Sequence, residues 1–222
     1  MPNKIAITGT GRSGTNFFAA VLSELGKDVK HEALGSDGIA SWCIVPNVKN
    51  AVYGPGGEIL NNNFLVGHQL RQPLKTIGSL TTFNKSSWKF IRKHSPQLPQ
   101  NIIHRSMFHW LDWNQRAAKI ATHTWRLEEI ENSAPAILKD LGWGVEDAVW
   151  SEAYKRAKHR ANSGKSRANH SLFNPRVGPI TQWRRYVYNN RKSPLTWEEL
   201  SKIDAELTAE IIAFAVKMGY DE

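Results

Sequence analysis

Residues 4–17 read Lys4-Ile5-Ala6-Ile7-Thr8-Gly9-Thr10-Gly11-Arg12-Ser13-Gly14-Thr15-Asn16-Phe17. Lys4–Thr8 is a short β-prone run. Three glycines follow, and then Phe17, Phe18, Val21, Leu22 and Leu25 recur at helical spacing, with Gly26 as a stop signal. The pattern is strand, glycine-rich turn, helix. Such a turn exposes backbone N–H groups, and the helix adds its unpaired first-turn N–H groups and the positive end of its dipole. That combination binds phosphate-like anions. Gly9, Gly11 and Gly14 let the chain curl close to the anion without Cβ clashes.

Outward from this stretch, an extended segment at Val29–Leu34 completes a βαβ unit and predicts a parallel sheet. Residues 35–62 are rich in Gly, Pro and Asn and read as loops, with at most a short helix at Ile39–Ile44. Phe64–Leu70 reads as a buried strand, and Pro73 opens a helix where its missing N–H costs nothing. Further helices are expected over Ser86–His94, Ile102–Ala121 and Glu128–Leu141, with a last strand at Ala121–Leu127. Thr196-Trp197-Glu198-Glu199 has the form of a capping box and predicts one C-terminal helix running to about Met218. Residues 152–192 hold eleven Lys and Arg against one Glu. Within them, 152–172 reads as a mobile basic loop. No linker divides the chain, so 1–222 is expected to form a single α/β domain, a mainly parallel sheet flanked by helices.

A length of 222 residues suits a medium domain, and 41% hydrophobic with 22% charged residues is ordinary for a globular protein. No apolar run is long enough to span a membrane and no signal-peptide pattern follows the N-terminus, so a cytoplasmic protein is expected. The single cysteine, Cys43, can form neither an internal disulfide nor a cysteine cluster. The net charge of +9 favours anionic partners.

The loop nearly matches the nucleotide pattern G-x-x-x-x-G-K-[ST]. Gly9 and Gly14 have the spacing, but Thr15-Asn16 stand where Lys and Ser/Thr belong, and Arg12 lies inside the loop. A fixed guanidinium there can neutralise a phosphate and a leaving oxygen without a metal. His104, His109, His123, His159 and His170 lack metal-ligand spacing, and no metal is expected.

These residues resemble the P-loop sulfotransferase superfamily. Arg12-Ser13-Gly14-Thr15-Asn16-Phe17 looks like its 5′-phosphosulfate loop, with Arg12 at the family's catalytic basic position and Phe17 where cytosolic members place a tryptophan against adenine. The strand Gly67-His68-Gln69-Leu70-Arg71, followed by Ser79 eight residues after the arginine, resembles the element that binds the donor's 3′-phosphate. Trp125-Arg126-Leu127-Glu128-Glu129-Ile130 resembles a later strand-to-helix segment. Arg176-Val177-Gly178-Pro179 through Trp183-Arg184 resembles the element that closes over the 3′-phosphate, although Val177 replaces the usual lysine. Arg176 and the Gly178 N–H are the expected contacts there, and Trp183 is expected to pack. The resemblance implies 3′-phosphoadenylyl sulfate as donor, 3′,5′-bisphosphoadenosine as product, and Gly11, Arg12, Ser13, Gly14, Thr15, Asn16, Phe17, Arg71 and Ser79 at the donor.

Transfer to an alcohol or amine needs a base near the acceptor. Strand C-termini in open α/β sheets face the ligand crevice, and the second strand carries Lys30-His31-Glu32. Branches of the family use Glu or His after this strand. Glu32 is the favoured base and His31 the second, because alternation along a strand aims only one of them at the acceptor. His68 is a lesser candidate, expected to be a core histidine. The polar residues of 35–62, 84–101 and 152–172 suit a carbohydrate or another polar hydroxyl acceptor. A small-molecule kinase or nucleotide hydrolase would explain the loop but leave Arg71 and Ser79 idle. A nucleic-acid-binding module would explain the charge but not the loop.

Overall fold

The computed structural model describes residues 4–45, 64–170 and 194–221, and side chains within 162–170 are not among them. The expected contacts Arg176 and Gly178, with Trp183, lie outside the described residues, as do most of loop 35–62 and residues 171–172. The described residues belong to two compact units, Met1–Arg71 with Asn114–His170, and Gln72–Trp113 with Ser171–Glu222.

The first unit is built on β1 (Lys4–Thr8), α1 (Thr15–Glu24), β2 (Val29–His31), β3 (Gly38–Ala40), β4 (Phe64–Leu70) and β5 (His123–Arg126). The five strands form one parallel sheet in the order β2-β3-β1-β4-β5. A parallel sheet covered on both faces needs strands apolar throughout, and Ile5, Ala6 and Ile7 of the central strand are fully buried. Alternation divides them. Ile5 and Ile7 join Phe18, Val21, Leu22, Leu65 and Trp125, while Ala6 packs with Ile39, Ile44 and Val66. The chain leaves β1 toward β2 and β3 and returns on the other side with β4, so the sheet's switch point is the C-terminal end of β1. Ligands bind in the crevice at such points.

Three expectations in this unit are corrected. The second strand ends at His31, and residues 38–40 are a strand between β1 and β2 where a loop was expected. Asp28 and Asp37 fold the intervening segment back: Ser36 N–H donates to Asp28 Oδ2 at 2.7 Å, and Asp28 N–H donates to Asp37 Oδ2 at 2.7 Å. A turn of 3₁₀ helix, Trp42–Ile44, follows β3. The expected basic loop over 152–172 is helical up to residue 170. After α5 (Ile130–Asp140), α6 spans Asp147–His170. Trp150, Ala153, Tyr154 and Ala157 recur at helical spacing and are buried in the main core. That apolar stripe holds the helix, while Lys155, Arg156, Lys158 and Arg160 are exposed. Arg156 and Arg160 both pair with Glu24 of α1.

The second unit contains α2 (Pro73–Leu80), α3 (Lys85–His94), residues 102–113 of α4 (Ile102–Ile120), α7 (Trp197–Ser201) and α8 (Ala205–Lys217). Its buried residues include Ile77, Leu80, Trp88, Ile91, Met107, Trp110 and Ile211. The Thr196/Glu199 capping box is present. The single C-terminal helix expected is two, because Asp204 accepts from Leu207 N–H at 2.9 Å and starts a new one. No described helix is long and apolar enough to cross a membrane.

His68 of β4 is fully buried, and its Nε2 lies 3.0 Å from Asn114 Oδ1. Burial pulls its pKa from 6.5 to about 4, against the opposing hydrogen bond to Asn114. The unfolded chain therefore binds the extra proton as pH falls through 6.5, while the folded chain refuses it until about 4. The group has no effect above pH 6.5 and costs roughly 3 kcal/mol by pH 4. Urea unfolding at pH 7 and at pH 4.5 should show this loss in the natural protein and a smaller loss in His68→Gln. Equal losses would contradict the assignment.

Candidate functional site

The loop after β1 turns through three left-handed residues: Gly9 at φ 151°, Arg12 at φ 71° and Gly14 at φ 92°. Gly11 is not among the positive-φ glycines. A Cβ on Gly9 would lie 2.3 Å from the Gln69 carbonyl oxygen, and one on Gly14 would lie 2.6 Å from Leu127 Cδ2. Glycine at both positions therefore lets the loop sit directly against β4 and the segment after β5. Arg12 has no such excuse. A non-glycine residue in this region costs of the order of 1–3 kcal/mol.

Gln69, which sequence reasoning passed over, supports the loop. Its Nε2 donates to Ser13 O at 2.9 Å, and its Oε1 accepts from Trp125 Nε1 at 3.2 Å. The fully buried carboxamide thereby joins the loop, β4 and β5. The available signal was a glutamine within an otherwise apolar buried strand. Arg71 leaves the end of β4 and donates from Nη1 to Arg12 O at 3.1 Å. The structure thus brings Arg71 to the loop. Ser79 is half-buried on α2, within the second unit.

The loop is equipped for an anion. Gly14 caps α1 with no side-chain hydrogen bond, and the first turn of α1 holds no acidic residue. Thr10 and Ser13 are 1% and 0% exposed, yet Thr10 Oγ1 and Ser13 Oγ have no hydrogen-bond partner among the described residues. Buried hydroxyls are ordinarily hydrogen-bonded. Two such hydroxyls beside a helix N-terminus, with Arg71 reaching Arg12 O, are donors of the kind an oxyanion accepts from. Thr15 is buried, Asn16 exposed and Phe17 half-buried. The Phe17 ring meets Tyr154 of α6 edge-on, with centroids 5.5 Å apart.

Glu32 follows β2 at φ 58°. Among the described residues, Arg12 and Glu32 are the only non-glycine residues with positive φ. Two contacts hold Glu32 there. Its N–H donates to Ala40 O at 3.0 Å, and its Oε1 accepts from Trp42 Nε1 at 3.0 Å. His31 is exposed by surface area yet crowded by neighbouring atoms. That crowding lowers its pKa, with the Glu32 carboxylate opposing. Cys43, one residue beyond Trp42, is buried. Desolvation, with Glu32 adding to it, raises its thiol to about 12, so it is no nucleophile near neutral pH. Arg126, the last residue of β5, pairs with Glu129, and Leu127 beyond it packs over Gly14. Arg126 thereby has a carboxylate partner.

No protein-family model matches the sequence, and no curated protein matches it at a significant level. The site's chemistry therefore stands on its own residues.

Replacing Gln69 with Leu should leave both Ser13 O and Trp125 Nε1 without their partner. Each buried polar group left unsatisfied costs about 1–3 kcal/mol. Urea unfolding of Gln69→Leu should show a loss of about 3 kcal/mol. A change under about 0.5 kcal/mol, the range of an ordinary surface substitution, would show that the carboxamide does not hold the loop.

Proposed function

We propose that the chain is a sulfotransferase that moves a sulfuryl group from 3′-phosphoadenylyl sulfate to a hydroxyl or amine acceptor. The observation that carries this reading is the pair of left-handed residues, Arg12 and Glu32. Arg12 follows β1 and Glu32 follows β2, two strands of one parallel sheet. Strained backbone of this kind concentrates at functional sites, where the surroundings over-determine it. The surroundings do so here: Ser13 is held by Gln69, Arg12 O by Arg71, and Glu32 by Ala40 and Trp42.

In this mechanism the amides of the loop and the first turn of α1, with the Thr10 and Ser13 hydroxyls, receive the 5′-phosphosulfate. The acceptor oxygen or nitrogen attacks sulfur, and the bond from sulfur to the phosphate oxygen breaks. The Arg12 guanidinium stabilises negative charge on that oxygen, as fixed donors do in a dry site. Glu32 takes the acceptor's proton, and 3′,5′-bisphosphoadenosine leaves with the electron pair. Arg71, tethered to Arg12 O, is the proposed contact of the 3′-phosphate. His31 is the second candidate for base. Its lowered pKa keeps it neutral near pH 7 and able to accept a proton. The absence of the P-loop lysine favours sulfuryl over metal-assisted phosphoryl transfer, and a polar hydroxyl compound or carbohydrate is the proposed acceptor class.

A labelled-donor assay tests these roles. Arg12→Ala should lower kcat by roughly a hundred- to a thousandfold. Glu32→Gln should lower kcat while leaving affinity for the bisphosphate unchanged. Near-normal turnover by Glu32→Gln would pass the role of base to His31. Chelator should leave turnover intact. Activity lost to chelator and restored by Mg²⁺ would favour a kinase or nucleotide hydrolase instead.

A further inference from the structure

We infer that Trp42 is a positioning residue that aims the Glu32 carboxylate. The inference rests on the reading above, in which Glu32 accepts the acceptor's proton. A glutamate has three side-chain torsions, and one left free would sweep its carboxylate over several ångströms. Glu32 is not free. The backbone is fixed by the Glu32 N–H bond to Ala40 O, and one carboxylate oxygen is fixed by the Trp42 indole. The other oxygen, Oε2, accepts no hydrogen bond from the described residues and is left for a proton.

The indole is itself held firmly. Trp42 is 8% exposed and opens the 3₁₀ turn Trp42–Ile44. Ser41 caps that turn, accepting from Cys43 N–H through Oγ at 3.1 Å. Ser41 is hung on the end of β1 by two bonds: its N–H donates to Ile7 O at 2.9 Å, and Thr8 Oγ1 donates to Ser41 O at 3.0 Å. Thr8 is the residue from which the phosphate loop departs. Trp42 thus references Glu32 to the same strand end that delivers Arg12. The base and the leaving-group cation take their positions from one rigid point rather than from separate loops. A catalytic group misplaced by about an ångström loses a large part of its effect, up to roughly a hundredfold.

Two variants separate the hydrogen bond from the packing. Trp42→Phe removes the N–H and keeps an aromatic ring. Incorporating 3-benzothienylalanine at position 42 replaces the N–H by sulfur in nearly the same shape. In the labelled-donor assay both should lose roughly ten- to a hundredfold in kcat. The donor KM and bisphosphate affinity should stay within about twofold of the natural protein, far below the effect of losing a donor-contacting group. Wild-type kcat in the benzothienyl variant, with Glu32→Gln inactive, would overturn the inference and leave the proposed base standing. The same holds if only Trp42→Phe is impaired, because packing would then explain the loss. Full turnover by Glu32→Gln would overturn the base assignment and this inference with it. Failure of the natural protein to bind the bisphosphate at all would overturn the sulfotransferase reading itself.

Discussion

The Gln69 carboxamide is the contact on which the site depends. A loop that turns three times through left-handed backbone cannot hold its shape by local preference. It must be held from outside. Gln69 does so from the adjacent strand, giving its N–H to Ser13 O and receiving the Trp125 indole N–H. The loop after β1, the body of β4 and the end of β5 become one hydrogen-bonded layer. In a fully buried place each of these bonds is worth more than at the surface, and each is costly to lose. The loop is therefore held in one shape by its neighbours.

A second layer of fixation lies on the other side of β1. There Thr8 and Ile7 hold Ser41, Ser41 caps the turn carrying Trp42, and Trp42 holds Glu32. Strain at Arg12 and Glu32 is thus balanced by two independent networks that share one strand. Preorganisation of this kind suits chemistry in which charge moves between fixed donors.

Much of the fold was legible in the sequence, because burial on both faces leaves a continuous apolar record. The runs 4–8 and 64–70 read as strands for that reason, and Pro73 and the Thr196–Glu199 box marked helix starts through local chemistry. What escaped were features decided by distant neighbours. Gly38–Ala40 sits in a Gly- and Ser-rich context that reads as a turn, and becomes a strand because β1 and β2 flank it. The lysines and arginines of α6 obscured the Trp150, Ala153, Tyr154, Ala157 stripe. In the candidate site, motif and strand ends single out Arg12, Arg71 and Glu32. They do not single out Gln69, since its partners Ser13 and Trp125 each lie 56 residues away. Nor do they single out Trp42, whose role depends on a turn hung from β1.

The net charge of +9 alone is compatible with nucleic acid, with an ATP-like nucleotide or with a bisphosphorylated donor. The loop, Arg71 and the missing lysine are the grounds on which the bisphosphorylated donor is proposed. The most direct measurement is thermal unfolding in the presence of 3′,5′-bisphosphoadenosine, of ATP with Mg²⁺, or of a nucleic-acid oligomer. A ligand at about a hundredfold excess over its Kd adds about 2.7 kcal/mol to the native state. For a chain of this size that raises Tm by roughly 5–10 °C. The bisphosphate should produce that rise, and the other two should not. A rise with ATP and Mg²⁺ or with the oligomer, and none with the bisphosphate, would contradict the account.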